Sequence, residues 1–330
     1  MELARGLRYH PQRMSQILKS HLVLCTFAGV AVIAASSVPI MGQVSKSSIA
    51  LHVDHASVCG ADLEPMQQEF AHVGLTTDYG GPHANGGTHM ALLGFEDGSY
   101  LELIAPQKPG AVEGSNWARL MTGNAGACAW AVETDDIKPE LERLKALGIS
   151  TGEATPGSRK RPDGMAIEWI TADVGSGTPG ATLPFIIQDR TPRNWRAQAS
   201  ASMKNSGLVG IDVVVLGVNN LEKAATLFQR AYGWPAPVIE DHWDFDAKLA
   251  YFPGQPVILA SPRPGRSWLA EHLQKFGETP VGFVLQTGNF DAAAKRFHIN
   301  YNITWFGQKF AWFDTKKLHG VRLGIWGPNN

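Results

Sequence analysis

The sequence predicts an α+β fold made of four copies of one unit, in which a strand, a helix and three further strands follow one another. The first supporting observation is a hydrophobic periodicity that changes from alternating to helical and back again in each unit. The second is an internal echo, because the segment 103–110 (LIAPQKPG) is similar to 259–265 (LASPRPG). Such an echo at a long period predicts duplication of a two-unit domain.

The first unit shows the pattern most clearly. An apolar strand at its start is followed by Leu63, Met66 and Phe70 at helical spacing, and Glu96-Asp97-Gly98 forms a hairpin turn. The strands predicted for the first two units are 53–59, 75–79, 88–95 and 100–105, then 127–132, 149–153, 166–171 and 183–187. The third unit begins with strand 209–215, which helix 220–232 follows. The fourth unit begins with strand 281–285, continues with helix 290–297 and ends at strand 321–326.

A polar stretch at 189–206 lies between the two copies, and its composition is typical of a domain boundary. We therefore predict a first domain at 48–190, a linker at 191–206 and a second domain at 207–330. Two domains are also what 330 residues favour.

The charge balance excludes one class of partner. The chain has 29 basic and 30 acidic side chains, a formal net charge of −1, and 44% hydrophobic residues. Such a balance does not favour nucleic acid, so we expect a small-molecule partner for a globular protein. A monomer is expected because two domains in one chain supply internal packing, with a dimer as the alternative.

The first 47 residues have the layout of an export signal. Arg13 and Lys19 precede an apolar run at 22–35, and small residues follow it. The prediction is a periplasmic or secreted protein. The alternative is an uncleaved membrane anchor, because the run together with 38–42 approaches the about 20 residues that span a bilayer.

Only two cysteines, Cys59 and Cys128, remain outside that segment. Each lies in an apolar, strand-like stretch, where a buried free thiol is common. The sequence therefore predicts no disulfide.

Two histidines and a glutamate on three predicted strands are candidate metal ligands. These are His55, His89 and Glu102, and two imidazoles with a carboxylate leave positions open for water or substrate. Such a set suits Zn(II), Fe(II) or Mn(II). Hairpin pairing places Glu102 opposite Leu93 and His89 opposite Pro106, about 13 Å apart along the strands. His89 is therefore either a third ligand or a substrate contact and acid-base group.

Several residues carry a resemblance to a known family. A strand beginning Val53-Asp54-His55 and another reading Tyr100-Leu101-Glu102-Leu103, set in paired strand-helix-three-strand units, resemble the vicinal oxygen chelate superfamily. Glyoxalases, extradiol dioxygenases and bleomycin-resistance proteins belong to it. The runs 86–90, 161–164 and 183–187 are most similar to its glyoxalase-like branch.

The resemblance implies that each pair of units forms a curved mixed sheet around a cleft, with a divalent metal held from first and last strands. His55 and Glu102 occupy those positions in the first unit. The corresponding residues of the later units cannot bind a metal: Ala129, Ile186, Val213, Ile258 and Gly324. The resemblance therefore implies a site in the N-terminal domain only.

Further side chains are candidate substrate contacts. His83 lies in a Gly- and Pro-rich loop, Arg161 in a short basic cluster, and Trp169 on a strand of the second unit. A solvated loop histidine, a solvated arginine and a core tryptophan are the alternatives. Six tryptophans of the second domain are predicted to be core or to form an apolar pocket: Trp234, Trp243, Trp268, Trp305, Trp312 and Trp326.

The functional hypothesis is an exported enzyme of the lyase or isomerase type, with a divalent metal on His55, Glu102 and His89. His89 and Glu102 are its predicted catalytic groups. One alternative is a non-catalytic small-molecule binder of the same fold, with a cleft lined by Trp and Phe. A second is an extradiol-type dioxygenase, and a third is a purely structural module.

Overall fold

The computed structural model describes residues 48–265, 267–300, 303–318 and 320–328. It contains two eight-stranded mixed sheets. The strands of the first sheet are β1 Val53–Cys59, β2 Asp78–Pro82, β3 Thr88–Gly94, β4 Tyr100–Pro106, β5 Gly126–Glu133, β6 Thr155–Lys160, β7 Ala166–Ala172 and β8 Phe185–Asp189. The strands of the second sheet are β9 Leu208–Gly217, β10 Val238–His242, β11 Ala247–Tyr251, β12 Val257–Pro262, β13 Pro280–Thr287, β14 Ile303–Trp305, β15 Gln308–Trp312 and β16 Leu323–Gly327.

Seven α-helices lie within the described ranges. They are α1 Leu63–His72, α2 Ala118–Thr122, α3 Ile137–Ala146, α4 Arg193–Arg196, α5 Leu221–Tyr232, α6 Trp268–Phe276 and α7 Phe290–Arg296, and a 3₁₀ turn spans Thr315–Lys317. None of the helices in this part of the chain is long and apolar enough to span a membrane. The predicted export segment, 1–47, lies outside the described residues.

The two sheets have the same strand order, which confirms the predicted fourfold unit. The first sheet runs β2-β3-β4-β1-β5-β8-β7-β6, and the second repeats this order from β10 to β14. In each unit the first strand pairs in parallel with the last, as β1 does with β4 and β5 with β8. The antiparallel pairs β1 with β5 and β9 with β13 then join two units into one sheet.

The helices begin at side chains that cap their free backbone N–H groups. Asp62 accepts from the N–H of Glu64 at the start of α1, and Asn220 accepts from the N–H of Lys223 at the start of α5. Helix α5 ends at Gly233, whose φ of 71° is a left-handed cap that favours glycine. These caps explain why the predicted helices begin where the sequence places them.

Two strands begin three or more residues later than predicted. The predicted strand 75–79 is observed as β2, Asp78–Pro82, and the predicted strand 149–153 is observed as β6, Thr155–Lys160. In both cases the apolar residue after the helix, Leu75 or Ile149, is buried in the core. The N–H of each residue donates to a carbonyl of the preceding helix. The chain therefore still follows the helix at this point, and the strand begins only afterwards.

One apolar core is shared by the two halves of the chain. It contains Phe70 and Trp130 from the first half together with Phe228 and Phe283 from the second. Polar contacts add to it, because Arg119 donates to the carbonyl oxygens of Lys275 and Phe276. The sheets span 53–189 and 208–327, and the domain limits at 190, 206 and 207 stay a prediction.

Cys59 and Cys128 form a disulfide, which makes the prediction of two free thiols wrong. They lie on β1 and β5, which are antiparallel neighbours, and the register of this pair shifts between Ser57 and Val58. The two Cα atoms are 5.8 Å apart. Sequence spacing did not indicate this, because the pairing of β1 with β5 brings together residues that are 69 positions apart.

Replacing both Cys59 and Cys128 by Ala should lower the free energy of unfolding by about 2–4 kcal/mol, because the bridge closes a long loop in the unfolded chain. Denaturant titration with and without a reducing agent measures this. The wild-type protein should be destabilised by the reductant and the double variant should not respond. Equal responses of the two proteins would contradict the bridge.

Candidate functional site

A cavity of about 480 Å³ lies on the concave side of the first sheet. Both units of the first sheet line it with polar and apolar side chains, and α4 adds Arg196. Its histidine and charged side chains are His55, His83, Glu102, Arg159, Asp173 and Arg196, and its aromatic walls include Trp117, Trp169 and Phe185. The predicted cleft of the N-terminal half is therefore present, and we call it the first-sheet cavity.

The two edge strands of the first sheet meet beside this cavity. His83, directly after β2, forms an isolated antiparallel bridge with Arg159 of β6, and the N–H of Ala84 donates to the carbonyl of Ser158. The sheet therefore curves until its edges touch. Gly81 permits this approach: its φ is 101°, and a Cβ there would lie 2.6 Å from the carbonyl oxygen of Lys160.

Three side chains converge in the cavity: His55, His83 and Glu102, here called the His–Glu cluster. His55 Nε2 lies 3.9 Å from Glu102 Oε2, and His83 Nε2 lies 3.8 Å from Glu102 Oε1. Both distances exceed hydrogen-bond length, so neither Nε2 atom has a hydrogen-bond partner among the described residues. All three groups are thus directed at a common space.

Parallel pairing of β1 with β4 explains why His55 and Glu102 lie together. Ser57 is the register partner of Glu102, and the Ser57 hydroxyl donates to Glu102 Oε2 at 3.0 Å. This hydrogen bond fixes one carboxylate oxygen and leaves Oε1 directed toward His83. The structure therefore brings together the pair that the sequence selected.

His55 is held by its neighbours on three sides. Its Nδ1 lies 2.5 Å from Asp54 Oδ1, its ring stacks on Tyr100 with centroids 4.8 Å apart, and Phe185 contacts its edge. A carboxylate that accepts from Nδ1–H fixes the tautomer in which Nε2 carries the lone pair. The ring therefore presents an acceptor atom to the cavity.

Asp54 is fully buried and is neutralised by arginines of α4. Arg196 donates to both carboxylate oxygens of Asp54, to the Tyr100 hydroxyl oxygen and to Asp189, and Arg193 also donates to Asp54. Burial alone would raise the pKa of the Asp54 carboxyl, but the hydrogen bonds and charge of Arg196, together with the hydrogen bond from His55, hold that pKa well below its usual range. Asp54 is therefore an anion that orients His55.

Helix α4 was not recognised as part of the site, because its residues fall in the stretch predicted to be a linker. The Arg193-Asn194-Trp195-Arg196 run contains two arginines one helical turn apart. That spacing is a weak indication of a paired function, and no acidic partner is near in sequence except Asp189.

His83 occupies the place that the sequence analysis gave to His89. Its Nδ1 lies 2.7 Å from the Thr88 hydroxyl oxygen, and Trp169 contacts the ring edge. Burial lowers the pKa of His83, while the nearby Glu102 carboxylate acts in the opposite direction. The histidine is therefore neutral at pH 7, which is the form that can bind a metal.

His89 lies on the opposite side of the sheet, so its expected place beside His55 and Glu102 has to be corrected. Thr88, Met90 and Leu92 of β3 line the cavity, and alternation along the strand turns His89 away. Its ring contacts Tyr79, and burial lowers its pKa. The hairpin register also differs by one residue, since Glu102 pairs with Leu92 and His89 with Ala105.

Of the other candidate contacts, Trp169 lines the cavity and Arg161 does not. Arg161 forms an ion pair with Asp163 at 3.0 Å and donates to the carbonyl of Trp195, outside the cavity. Arg159, two residues earlier, is the arginine that reaches the cavity wall. The basic cluster therefore contributes one arginine to the cavity, and that arginine is Arg159, not the predicted Arg161.

The concave side of the second sheet is filled by aromatic side chains. Trp305 stacks on Phe310 with centroids 4.2 Å apart, and Phe245 and Trp326 are buried in the same cluster. This agrees with the core alternative for most of the predicted tryptophans, whereas Trp243 is exposed. His242 of β10 has an equivalent place to His83, but Glu240 and Asp244 occupy both of its ring nitrogens.

Within the described ranges, no group of three or more His, Cys, Asp or Glu side chains stands at metal-binding geometry. The nitrogen and oxygen atoms of the His–Glu cluster lie farther apart than the ligand atoms of such a group. Two ligands held about 2.1 Å from one ion are about 3.0–3.5 Å apart, so the observed separations of 3.8 and 3.9 Å are about 0.3–0.9 Å too wide.

The family model described as "Glyoxalase-like domain" matches residues 53–233, more than half of the chain. The chain belongs to the glyoxalase-like domain family. The match includes both units of the first sheet, the stretch 191–206 and the first strand and helix of the second sheet. No curated protein matches the sequence.

Two solved structures with TM-scores above 0.5 confirm the vicinal oxygen chelate fold of this glyoxalase-like protein. A mutant of 4-hydroxymandelate synthase from Streptomyces coelicolor is 12% identical, with a TM-score of 0.55, covering 85% of this chain and 93% of its own. A hypothetical protein from Staphylococcus aureus is 12% identical, with a TM-score of 0.53 and coverages of 84% and 99%. Methylmalonyl-CoA epimerase from Mycobacterium tuberculosis is 19% identical, with a TM-score of 0.33, covering 38% and 91%.

Titration of the histidines by NMR tests the placement of His83 and His89. Glu102→Gln should lower the pKa of His83 further, because it removes the carboxylate that favours the imidazolium. His89, on the other side of the sheet, should keep its wild-type pKa in the same spectra. A response of His89 without a response of His83 would contradict the arrangement.

Arg196→Met should lower the free energy of unfolding by about 3–5 kcal/mol at pH 7, because it leaves Asp54 buried without its main partner. The depressed pKa of Asp54 stabilises the wild-type fold above the unfolded pKa, and this contribution is lost as the pH falls below about 4. The difference between the two proteins should therefore shrink at low pH. Denaturant titrations at pH 7 and pH 3 measure it.

Arg193→Met is the matched control, because the Arg193 side chain is 27% exposed and that of Arg196 only 3%. Its loss of stability should be the smaller of the two. An equal loss in both variants, or a pH-independent difference for Arg196→Met, would contradict the assignment.

Proposed function

We propose that this glyoxalase-like protein is a metal-dependent enzyme of the isomerase or lyase type that acts on a small oxygenated substrate in the first-sheet cavity. The observation that carries the proposal is the convergence of His55 Nε2, His83 Nε2 and the Glu102 carboxylate on one space, with no hydrogen bond between them. Nitrogen and oxygen atoms that make no protein hydrogen bond and face a cavity are available to a ligand.

The donor set fits a divalent ion in its chemistry. Two neutral imidazoles and one carboxylate suit Zn(II), Fe(II) or Mn(II) and leave positions open. Asp54 and Thr88 engage the Nδ1 atoms of His55 and His83, as the outer partners of metal-binding histidines do. The two histidine–glutamate separations have to shorten by about 0.3–0.9 Å for the cluster to bind an ion. A bound divalent ion would supply Lewis-acid polarisation of a substrate oxygen.

The chain's own residues have separate tasks in this proposal. Asp54 and Tyr100 hold the His55 ring, and Ser57 holds one oxygen of Glu102, so that the cluster is oriented before substrate enters. Glu102 Oε1, which Ser57 does not contact, is positioned to take or return a proton of the substrate. Trp117, Trp169 and Phe185 exclude water from the reacting groups. His89 has no part in it.

A second candidate is a non-catalytic protein that binds a small molecule in the same cavity. Two observations favour it: the aromatic walls, and the absence of a metal-binding group at closed geometry in the described part of the chain. It predicts binding without metal. The dioxygenase alternative uses the same three donors and differs in requiring iron and dioxygen consumption.

Export and a monomeric state complete the proposal. The Cys59 to Cys128 disulfide supports an oxidising compartment such as the periplasm or the extracellular space. The core shared by both halves supports a monomer, since each sheet already has a packing partner within the chain.

Metal analysis of the purified full-length protein tests the proposed function. Elemental analysis and titration with Zn(II), Fe(II) and Mn(II) should give about one ion per chain. His55→Ala, His83→Ala and Glu102→Ala should each weaken binding by about tenfold or more, because each removes one of three ligands.

His89→Ala is the control, and it should bind metal as the wild-type protein does. Unchanged metal binding in all three cluster variants would overturn the proposed function in favour of the binding protein. Loss of metal in His89→Ala, with His83→Ala unaffected, would show that the ligand set is misassigned.

A further inference from the structure

Arg159 is a buried arginine whose charge has no paired carboxylate. Its side chain lines the first-sheet cavity and donates to two backbone carbonyls, those of Gly80 at 2.7 Å and Arg196 at 3.0 Å. No carboxylate of the described residues lies within ion-pair distance of it. A guanidinium has five N–H groups, so two hydrogen bonds leave most of its donors unused.

The other two arginines of the site have carboxylate partners. Arg196 faces Asp54 and Asp189, and Arg193 faces Asp54, Asp189 and Glu133. Arg159 is outside this network and makes no ion pair: burial lowers the pKa of its guanidinium, although the charge of Glu102 in the same cavity acts in the opposite direction, whereas carboxylate partners raise the pKa of Arg196 in spite of burial. A buried guanidinium with unused N–H groups facing a cavity is a candidate site for an anionic ligand.

The place of Arg159 defines what such a ligand must be. Arg159 lies beside the His–Glu cluster, because its backbone is bridged to that of His83 across the two sheet edges. The cavity wall adjoining the cluster is apolar, with Trp169 and Phe185 near His83 and His55. A guanidinium binds planar carboxylates through paired N–H groups more strongly than it binds neutral oxygen.

We infer that the ligand of the first-sheet cavity is a small carboxylic acid with an aromatic or apolar group, whose carboxylate is bound by Arg159. This inference rests on the proposed function for the location of the reacting oxygen, which lies at the His–Glu cluster. It adds the substrate class, which neither the cluster nor the family supplies. The aromatic or apolar group packs against Trp169 and Phe185, and the 480 Å³ cavity accommodates one ring with short substituents.

The test compares benzoate with benzamide, a neutral molecule of nearly the same shape. Binding is measured by calorimetry on the full-length protein, once in EDTA and once with Zn(II). The wild-type protein should bind benzoate about tenfold or more tightly than benzamide in both conditions, as expected for a charge-assisted hydrogen bond. Arg159→Met should remove this preference and leave benzamide binding unchanged.

Two further variants make the result specific. Arg161→Met is the matched control, because Arg161 is on the same segment but outside the cavity, and its preference should equal that of the wild type. Arg159→Lys keeps the charge without the planar fork and should retain only part of the preference. It also provides the readout if Arg159→Met does not fold, which thermal unfolding establishes.

The inference is overturned if the wild-type protein does not distinguish benzoate from benzamide, if it binds neither in EDTA, or if Arg159→Met keeps the full preference. Its failure is distinguishable from failure of the metal proposal. An Arg159-dependent preference in EDTA, together with unchanged metal content in the cluster variants, would overturn the proposed enzyme and keep the carboxylate site.

Discussion

The ion pair between Asp54 and Arg196 connects the strand that carries His55 to the short helix that follows the first sheet. Asp54 is completely buried, and its charge is tolerable only because Arg196 and Arg193 surround it. Arg196 also donates to the hydroxyl oxygen of Tyr100, whose ring stacks on His55. It donates as well to Asp189 at the end of β8. Four elements thus depend on one guanidinium, and the orientation of the first histidine depends on all of them.

Duplication has produced two sheets of equal topology with different concave sides. In the first, polar side chains and an open cavity remain, while in the second Trp305, Phe310 and Trp326 fill the corresponding space. Filling a cleft with aromatic groups adds buried apolar area at the expense of a binding site. The second sheet therefore contributes to the shared core and supports the first, and this division of roles follows directly from the residue types at equivalent positions.

Sequence periodicity was enough to predict the order of elements, and the family resemblance placed His55 and Glu102 at one site. It was not enough to choose between His83 and His89, because that choice depends on which side of β3 a residue faces and on a loop that folds over the cavity. A shift of one residue in the hairpin register separated the expected from the observed partners of Glu102. The disulfide and the arginines of α4 were missed for a related reason: each depends on long-range pairing that local pattern does not contain.

The contact between the two edges of the first sheet has a consequence for how the protein is assembled. The edge strands β2 and β6 each bring one polar side chain to the cavity, His83 directly after β2 and Arg159 on β6, and these two residues are bridged only when both strands have the native alignment. A one-residue slip in either strand would reverse the side on which its residues project. A ligand that contacts both side chains therefore binds only a molecule whose sheet edges are correctly aligned, and its affinity reports that alignment.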